Sequence, residues 1–387
     1  MRWNTRWSRR TFLQGIGYSS VLGALDNILP HSKTLLHAQT NAISPDQFAY
    51  IASKGIDVFE LSADHWTWKQ NVPSRSPVSL TLHPSQQFLY AANEVDEYEG
   101  LPRGTVEAYR INPKSGFLTL INRQPLSLSG TRPRHIAVSH DGKHLVVAIH
   151  GGGAYNILPI EQDGTLGRVT QILKEVGTGS HPIYQASAHP HTVVFDPAGR
   201  HLLATDEGRG RISVFAFQNG RMVRTFDTVS QPASRPGHLA MHPAGNFFYV
   251  SNLLDGSIDC YRYSPNLEEI EHEQRVMTTQ RITAREAQSL VISASGRFLY
   301  TSSSDQGLSV WKIDSATGKL SIVQRSILKD RSWTSLTLSS DDRRLFVLDN
   351  YQNELSSLAV HPESGELGTV FTVARTTMPR SLVFKQI

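Results

Sequence analysis

Residues 80–94 read LTLHPSQQFLYAANE, in which two alternating apolar strands flank a polar turn that contains proline. The same pattern of strand, turn with Pro, Asp or Gly, and second strand recurs five more times along the chain. The further copies begin at Ile136, Val193, Leu239, Leu290 and Leu336. Repeats of about 45 to 57 residues that consist of strands alone are typical of a β-propeller, in which each copy forms one blade.

A seventh copy is divided between the two ends of the repeat region. Its first strand, SLVF, begins at Ser381, and its second strand, FAYIASK, begins at Phe48. Pairing of these strands would close the ring and remove the open sheet edge. The sequence therefore predicts an all-β fold over residues 39–387, a seven-bladed β-propeller whose C-terminal strand closes the first blade.

Length and cysteine content agree with one large domain. Each blade must stack on its neighbours to bury both faces, so the 387 residues are not divided into several small domains. Cys260 is the only cysteine, which rules out an internal disulfide. A buried, inert thiol is the favoured interpretation, and a catalytic cysteine is the alternative.

The N-terminal segment has the composition of an export signal. The stretch SRRTFLQG begins at Ser8, a modestly apolar run extends over residues 12–25, and small residues precede Ala38. This is the layout of a twin-arginine signal. We therefore expect residues 1–38 to be removed after export, leaving a periplasmic or extracellular protein without stable membrane insertion. A plain basic arm and a retained membrane anchor are the alternatives.

The positive charge belongs to that segment. The whole chain has 38 basic and 34 acidic residues. Residues 1–38 contain five of the basic residues and one of the acidic ones, so the remainder has 38 − 5 = 33 basic and 34 − 1 = 33 acidic residues. A net charge of zero offers no excess for nucleic acid, which is not expected as a partner. A closed ring also has no free edge for self-association, so a monomer is expected.

Aligned repeats predict which side chains line the central channel. Side chains alternate along a strand, so the first strand of each blade presents one set to the blade interior and one to the channel. The interior set is apolar: Leu80, Ile136, Val193, Leu239, Leu290, Leu336 and Leu382. The preceding residue is polar in every copy: Ser79, His135, Thr192, His238, Ser289, Ser335 and Ser381. For the serines, simple wetting of a water-filled channel is the alternative to a binding role.

Two further rings are predicted at one mouth of the channel. The ring that precedes the first strands reads Val78, Arg134, His191, Gly237, Gln288, Thr334 and Arg380. The ring that follows the second strands reads Lys54, Glu94, His150, Glu207, Leu253, Ser304 and Asn350. Such a mouth could bind an anion on arginine and set a carboxylate beside a histidine for proton transfer. His189 and His191 could also begin a metal site, but no third and fourth ligands follow by spacing, so no metal or other cofactor is expected.

Four motifs in this order resemble the seven-bladed lactonase family. They are ANEVDEYEG from Ala92, PRHIAVS from Pro133, HPHTVVFDPAGR from His189 and RPGHLAMHPAGNFFYVSN from Arg235. The family includes propeller-type 6-phosphogluconolactonases and the fungal carboxymuconate lactonising enzyme, and the resemblance extends from about Phe48 to Ile387. It implies the opening of a lactone by water, or the reverse closure, by a histidine, arginines and a glutamate at the channel mouth, without metal. His189, His191, Arg134 and Glu94 match family motifs.

The chain departs from the family pattern at two positions of one blade. Where the resemblance leads us to expect Pro-Arg-His followed by Asn-Glu-Leu, this chain has Pro-Gly-His with Gly237 and Asn-Leu-Leu with Leu253. An arginine and a glutamate of the same constellation are therefore absent together. The departure favours a changed reaction or the loss of catalysis.

Three functions follow from these observations. The first is a hydrolase that opens a small lactone; a carboxylated lactone is one candidate substrate, and a lactone or a sugar acid is the expected ligand. Its predicted catalytic residues are His189, His191 and Glu207, and its predicted substrate-binding residues are Arg134, His135, Glu94, His150, Gln288 and Arg380. The second is a non-catalytic propeller that binds a small ligand or a protein partner. The third, a true 6-phosphogluconolactonase, is disfavoured because its substrate is cytosolic and the mouth has no cluster of several Lys and Arg. The loops 96–104 and 177–188 are expected to overhang the mouth.

Overall fold

The computed structural model describes residues 46–62, 65–231, 234–264, 269–278, 289–303, 307–327 and 333–386. The predicted export signal and the predicted binding residue Gln288 lie outside these ranges. Within the described residues the regular structure is all β, and no helix there could span a membrane.

Seven four-stranded antiparallel sheets form the fold. The first sheet contains β1 (Asp46–Ala52), β2 (Ile56–Ser62) and β3 (His65–Val72). The second contains β4 (Pro77–Leu82), β5 (Phe88–Asn93), β6 (Thr105–Ile111) and β7 (Leu118–Pro125), and the third contains β8 (Pro133–Val138), β9 (His144–Ile149), β10 (Ala154–Pro159) and β11 (Gln171–Lys174). The fourth contains β12 (Pro190–Phe195), β13 (His201–Asp206), β14 (Arg211–Gln218) and β15 (Arg221–Val229).

The remaining sheets continue the same order. The fifth contains β16 (Pro236–Met241), β17 (Phe247–Asn252), β18 (Ser257–Ser264) and β19 (Glu269–Met277), and the sixth contains β20 (Leu290–Ile292), β21 (Phe298–Ser303), β22 (Gly307–Ile313) and β23 (Leu320–Ile327). The seventh contains β24 (Trp333–Leu338), β25 (Arg344–Asp349), β26 (Glu354–Val360) and β27 (Leu367–Arg375). The last strand, β28 (Ser381–Gln386), joins β1 as the innermost strand of the first sheet. The predicted seven-bladed propeller and its closure by the C-terminal strand are confirmed.

The core lies between the blades. The seven apolar positions predicted for the blade interior are buried, and each belongs to a different one of seven hydrophobic clusters. Each cluster contains residues of two successive blades, so burial of these side chains holds neighbouring blades together. The inner strands pack on one another in ring order and close with β28 against β4.

An aromatic contact with a glycine reinforces the packing between blades. A Cβ on Gly116, in the turn between β6 and β7, would lie 2.4 Å from the Phe48 ring of the preceding blade. The Tyr50 hydroxyl donates a hydrogen bond of 3.0 Å to the Gly116 carbonyl. Gly116 has φ of 69°, which favours glycine in any case. The same arrangement of Phe, Tyr and Gly occurs with Gly164, Gly318 and Gly365.

A β-bulge at the start of the inner strands sets the geometry of the mouth. The register of β8 against β9 shifts between Pro133 and His135, which leaves Arg134 without a partner residue. Equivalent shifts begin at Pro77, Pro190 and Trp333, and in the fifth blade between Pro236 and Leu239. A bulge re-aims the extra side chain. Arg134 and His135 are adjacent in sequence, yet both line the channel cavity.

Candidate active site

The inner strands enclose a cavity of 410 Å³ along the channel. Its walls include the predicted polar ring Ser79, His135, Thr192, His238, Ser289, Ser335 and Ser381. Seven residues of the mouth rings also line it: Val78, Glu94, Arg134, His191, Thr334, Asn350 and Arg380. The predicted polar ring thus lies on the channel wall, and five of the apolar positions predicted for the blade interior also border the cavity: Leu80, Leu239, Leu290, Leu336 and Leu382.

A second cavity of 180 Å³ lies at the mouth. Glu94, Arg134 and His191 line both cavities, so the two are adjacent. The other residues around the smaller cavity are Arg132, His150, Glu207, Arg235 and Leu253. This mouth pocket gathers histidines, carboxylates and guanidinium groups, which is the combination that acid–base chemistry on an ester requires.

His150 and Glu207 form a hydrogen-bonded pair in the mouth pocket. His150 follows β9 and Glu207 follows β13, so neighbouring blades bring them together. His150 Nε2 lies 2.5 Å from Glu207 Oε1. Burial on its own would raise the pKa of Glu207, but the hydrogen bond with His150 and the positive charges nearby hold that pKa well below its usual range. Glu207 is therefore a carboxylate that accepts the Nε2 proton of His150.

The second ring nitrogen of His150 is available to a ligand. Within the described part of the chain, Nδ1 of His150 has no hydrogen-bond partner, and 24% of the side chain is exposed. Because Glu207 holds the proton on Nε2, the lone pair of Nδ1 is free to accept a proton. This is the arrangement of a general base oriented by a carboxylate.

His189 packs against the His150 ring of this pair. Its ring stacks on that of His150, with centroids 4.5 Å apart and an interplanar angle of 16°. Its Nδ1 donates to the His150 carbonyl at 3.0 Å, and its Nε2 lies 3.1 Å from Ser187 Oγ. Both ring nitrogens are thus occupied, and His189 does not line either cavity. His189, which was predicted to be catalytic, therefore contacts His150 and holds its ring in place.

His191 lines both cavities but is a weak base. Its side chain is buried, Nδ1 lies 2.9 Å from Thr192 Oγ1, and Nε2 is buried without a hydrogen-bond partner among the described residues. Burial lowers the pKa of His191 well below its usual value. A general base works best with a pKa near the working pH, so His191 is a neutral wall of the pocket.

The neighbouring channel histidines are neutral as well. Burial lowers the pKa of His135 to about 4 and, together with the charge of Arg134, that of His238 to about 3. The rings of His191 and His238 meet edge to face with centroids 4.8 Å apart. His135, His191 and His238 therefore contribute polar but uncharged side chains to the channel wall at neutral pH.

Arg235 belongs to the site although it was not among the predicted site residues. Its Nη2 donates to Glu207 Oε1 at 3.0 Å, and its guanidinium lies 5.3 Å from the centroid of the Tyr184 ring. Arg235 has φ of 54°, a left-handed conformation that is uncommon outside glycine. The residue two places before the mouth ring has positive φ also at Ser76, Arg132 and Met378. The repeat could have identified this position, because Arg235 and Arg132 occupy it in two of the blades.

The two departures from the family pattern contact each other. A Cβ on Gly237 would lie 2.9 to 3.0 Å from Cγ and both methyl groups of Leu253. Leu253 is 7% exposed and lines the mouth pocket. Its side chain thus fills the space into which a longer residue at position 237 would extend. Gly237 and Leu253 thus stand where the resemblance leads us to expect an arginine and a glutamate, while Arg235, two residues before Gly237, donates to Glu207.

A second ion cluster lies where the mouth pocket adjoins the channel cavity. Glu94 follows β5, and its carboxylate bonds to the Arg380 guanidinium, which lies just before β28. Arg134 Nη1 lies 3.5 Å from Glu94 Oε1. The structure thus brings together the predicted binding residues Glu94, Arg134, Arg380 and His150.

The loop 177–188 contacts two residues that line the mouth pocket. Gln185 is 2% exposed and donates through Nε2 to the Glu207 carbonyl at 2.8 Å. Tyr184 of the same loop stacks under the Arg235 guanidinium. The loop therefore holds both partners of the Arg235–Glu207 ion pair.

No group of three His, Cys, Asp or Glu side chains among the described residues is arranged to bind a metal ion.

Comparison with known proteins agrees with this architecture. The model of the family described as "Lactonase, 7-bladed beta-propeller" matches residues 47–384. The 6-phosphogluconolactonase of Bacillus subtilis is 24% identical over 321 residues, which cover 81% of this chain and 86% of that protein. That of Pectobacterium carotovorum is 28% identical over 66% of this chain and 74% of its own length. Among solved structures, a periplasmic gluconolactonase of Pseudomonas aeruginosa matches with a TM-score of 0.78 and 26% identity, covering 89% of this chain and 99% of that one.

Proposed function

This chain belongs to the lactonase family of seven-bladed β-propellers, and from that membership and the site geometry we propose that it hydrolyses a small lactone in the mouth pocket. The observation that carries the proposal is the 2.5 Å hydrogen bond between His150 and Glu207, with Nδ1 of His150 open to a ligand. The relatives named 6-phosphogluconolactonase and gluconolactonase act on lactones, which supports the reaction type.

In the proposed reaction, His150 is the base. Its Nδ1 takes a proton from water as the water oxygen attacks the carbonyl carbon of the lactone. The imidazolium that forms is stabilised by the Glu207 carboxylate. When the tetrahedral intermediate collapses, the bond from the carbonyl carbon to the ring oxygen breaks, and His150 returns its proton to that oxygen. The product is a hydroxy acid, which ionises and releases one proton to the solution.

Arginines are proposed to stabilise the negative charge that develops on the carbonyl oxygen. Arg235 and Arg134 line the same pocket as His150. A fixed donor directed at a developing oxyanion contributes about 10²- to 10³-fold to the rate, and general acid–base catalysis contributes about 10²- to 10⁴-fold. These contributions are sufficient for a strained, reactive lactone. We therefore propose His150, rather than His189 or His191, as the base, with Glu207 as the residue that orients it.

The test is acid release in a pH-stat by the mature protein, with a panel of γ- and δ-lactones. His150→Gln should lower turnover at least a hundredfold. His144→Gln is the matched control, because His144 lies at the other end of the same strand β9 and packs against Phe217. Equal turnover in both variants would contradict the assignment of His150.

Binding without catalysis is the second candidate, and the exchange at Gly237 and Leu253 favours it. It predicts that the wild-type protein releases no acid from any lactone of the panel but still binds a lactone or sugar acid in calorimetry. Acid release that His150→Gln abolishes would exclude it.

The proposed site of action is outside the cytoplasm. The twin-arginine motif at residues 9 and 10 supports this proposal, as does the structural similarity to a periplasmic gluconolactonase of Pseudomonas aeruginosa. Replacing both arginines by lysine should retain the protein in the cytoplasmic fraction. Unchanged fractionation would contradict the export route. A monomer in size-exclusion chromatography and no affinity for nucleic acid are expected of the mature protein.

A further inference from the structure

We propose that Glu94 is a specificity-determining residue that restricts the mouth pocket to uncharged lactones and promotes release of the anionic product. The proposal rests on the lactone hydrolysis proposed above and adds the charge of the substrate that the site accepts. The Glu94 carboxylate bonds through Oε2 to the Arg380 guanidinium, and its Oε1 lies 3.5 Å from Arg134 Nη1.

The three residues come from three successive blades. Arg380 precedes β28 of the first blade, Glu94 follows β5 of the second, and Arg134 is the bulge residue of β8 in the third. The two guanidinium groups are thus placed on either side of one carboxylate. Two guanidinium groups around one carboxylate are also the arrangement in which a protein binds a carboxylate or phosphate ligand. Glu94 occupies the position that such a ligand would take.

Glu94 faces the space available to a ligand. It lines both the channel cavity and the mouth pocket, as does Arg134. Its side chain is only 15% exposed, and those of Arg134 and Arg380 are 33% and 28% exposed. Charges in such a half-buried setting interact more strongly than they would at the surface. An anionic ligand must therefore displace the Glu94 carboxylate or accept its repulsion.

The other arginines of the mouth pocket do not offer a free cation either. Arg235 pairs with Glu207, and Arg132 lies 3.9 Å from Asp96. Among the described residues that line the two cavities, each guanidinium thus has a carboxylate neighbour. A neutral lactone enters without disturbing these pairs. Its hydrolysis product carries a new carboxylate, which Glu94 repels.

The experiment uses Glu94→Gln in the full mature protein. Glutamine keeps the size of the side chain and can still accept a hydrogen bond from Arg380, but it removes the charge. Glu99→Gln is the matched control, because Glu99 also pairs with an arginine, Arg103, but lines neither cavity, and 62% of its side chain is exposed. The substrates are D-glucono-δ-lactone, which is neutral, and D-glucaro-1,4-lactone, which carries a carboxylate.

The expected result is a rise of about tenfold in the ratio of kcat/KM for the anionic lactone to kcat/KM for the neutral lactone in Glu94→Gln. The inhibition constant of gluconate should fall by a similar factor, and 0.5 M salt should reduce both effects because screening weakens them. Glu99→Gln should show neither change. An unchanged ratio and inhibition constant in Glu94→Gln would overturn the proposal and leave Glu94 as a structural ion pair.

Calorimetry separates this proposal from the proposed reaction. Gluconate should bind about tenfold more tightly to Glu94→Gln than to the wild type or to Glu99→Gln. If the wild type hydrolyses no lactone but this difference in binding is observed, the reaction is wrong and the role of Glu94 stands. If lactones are hydrolysed and gluconate binds all three proteins equally, the role of Glu94 is wrong and the reaction stands.

Discussion

Replacement of Glu207 by glutamine is expected to lower lactone turnover by about a hundredfold. Glu207 Oε1 accepts hydrogen bonds from His150 at 2.5 Å and from Arg235 at 3.0 Å. A hydrogen bond to a charged group contributes about 1.5–3 kcal/mol, and one between neutral groups about 0.5–1.5 kcal/mol. The bond to Arg235 is weakened in the ground state and the transition state alike and does not change the rate. The bond to His150 becomes one between a carboxylate and an imidazolium in the transition state, and loss of the carboxylate charge costs up to about 3 kcal/mol there. Since 1.36 kcal/mol corresponds to a factor of ten, the rate falls by about 10².

Glu175→Gln controls for the loss of a buried carboxylate as such. Glu175 is 5% exposed and pairs with Arg209 and Arg224, but it lines neither cavity. Thermal unfolding should show that both variants are destabilised, since both leave arginines without their carboxylate. Only Glu207→Gln should lose turnover in the pH-stat. The reasoning is refuted if Glu207→Gln retains more than a fifth of the wild-type kcat, or if Glu175→Gln loses as much.

Three further predictions concern the surroundings of the site. Gly237→Ala should destabilise the protein by about 1–3 kcal/mol in chemical denaturation, because the new methyl group contacts Leu253. Adding Leu253→Ala should relieve most of this cost in the double variant. Purely additive effects of the two substitutions would contradict the contact. His135 and His238 have folded-state pKa values of about 4 and about 3, below the unfolded value of about 6.5, so stability is fully present above pH 6.5 and is lost as the pH falls towards 4. Each histidine should contribute about 1.4 kcal/mol per pH unit to the slope of the unfolding free energy against pH. In each His→Gln variant that slope should be smaller by this amount when unfolding is measured from pH 7 to pH 4.5. Cys260 should not react with a thiol reagent at pH 8 until the protein unfolds, because burial raises its pKa to about 12; rapid labelling of the native protein would contradict this.

The repeat made the architecture predictable. Seven copies of one pattern fixed the number of blades, and the alternation of apolar and polar residues placed Leu80 and its equivalents in the core and Ser79 and its equivalents on the channel wall. Closure of the ring followed from the split copy, with SLVF at Ser381 and FAYIASK at Phe48. These features depend on the period of the strand, which does not change with the surrounding structure.

The site was less predictable because it depends on departures from that period. Alternation alone places Arg134 and His135 on opposite sides of a strand, whereas the bulge at Pro133 directs both towards the channel. Arg235 reaches Glu207 through a left-handed backbone conformation that no propensity of arginine suggests. His150 was predicted to bind substrate, and only the geometry of its two ring nitrogens distinguishes it from His189 as the proposed base.

The contact between Phe48 and Gly116 also bears on how such a ring can arise. The contact occurs at four junctions between blades, and the second and sixth blades each contribute a phenylalanine to the blade that follows and a glycine to the blade that precedes. A gene segment that encodes such a blade therefore encodes both halves of the contact, and a tandem duplicate fits its parent without a new contact having to evolve.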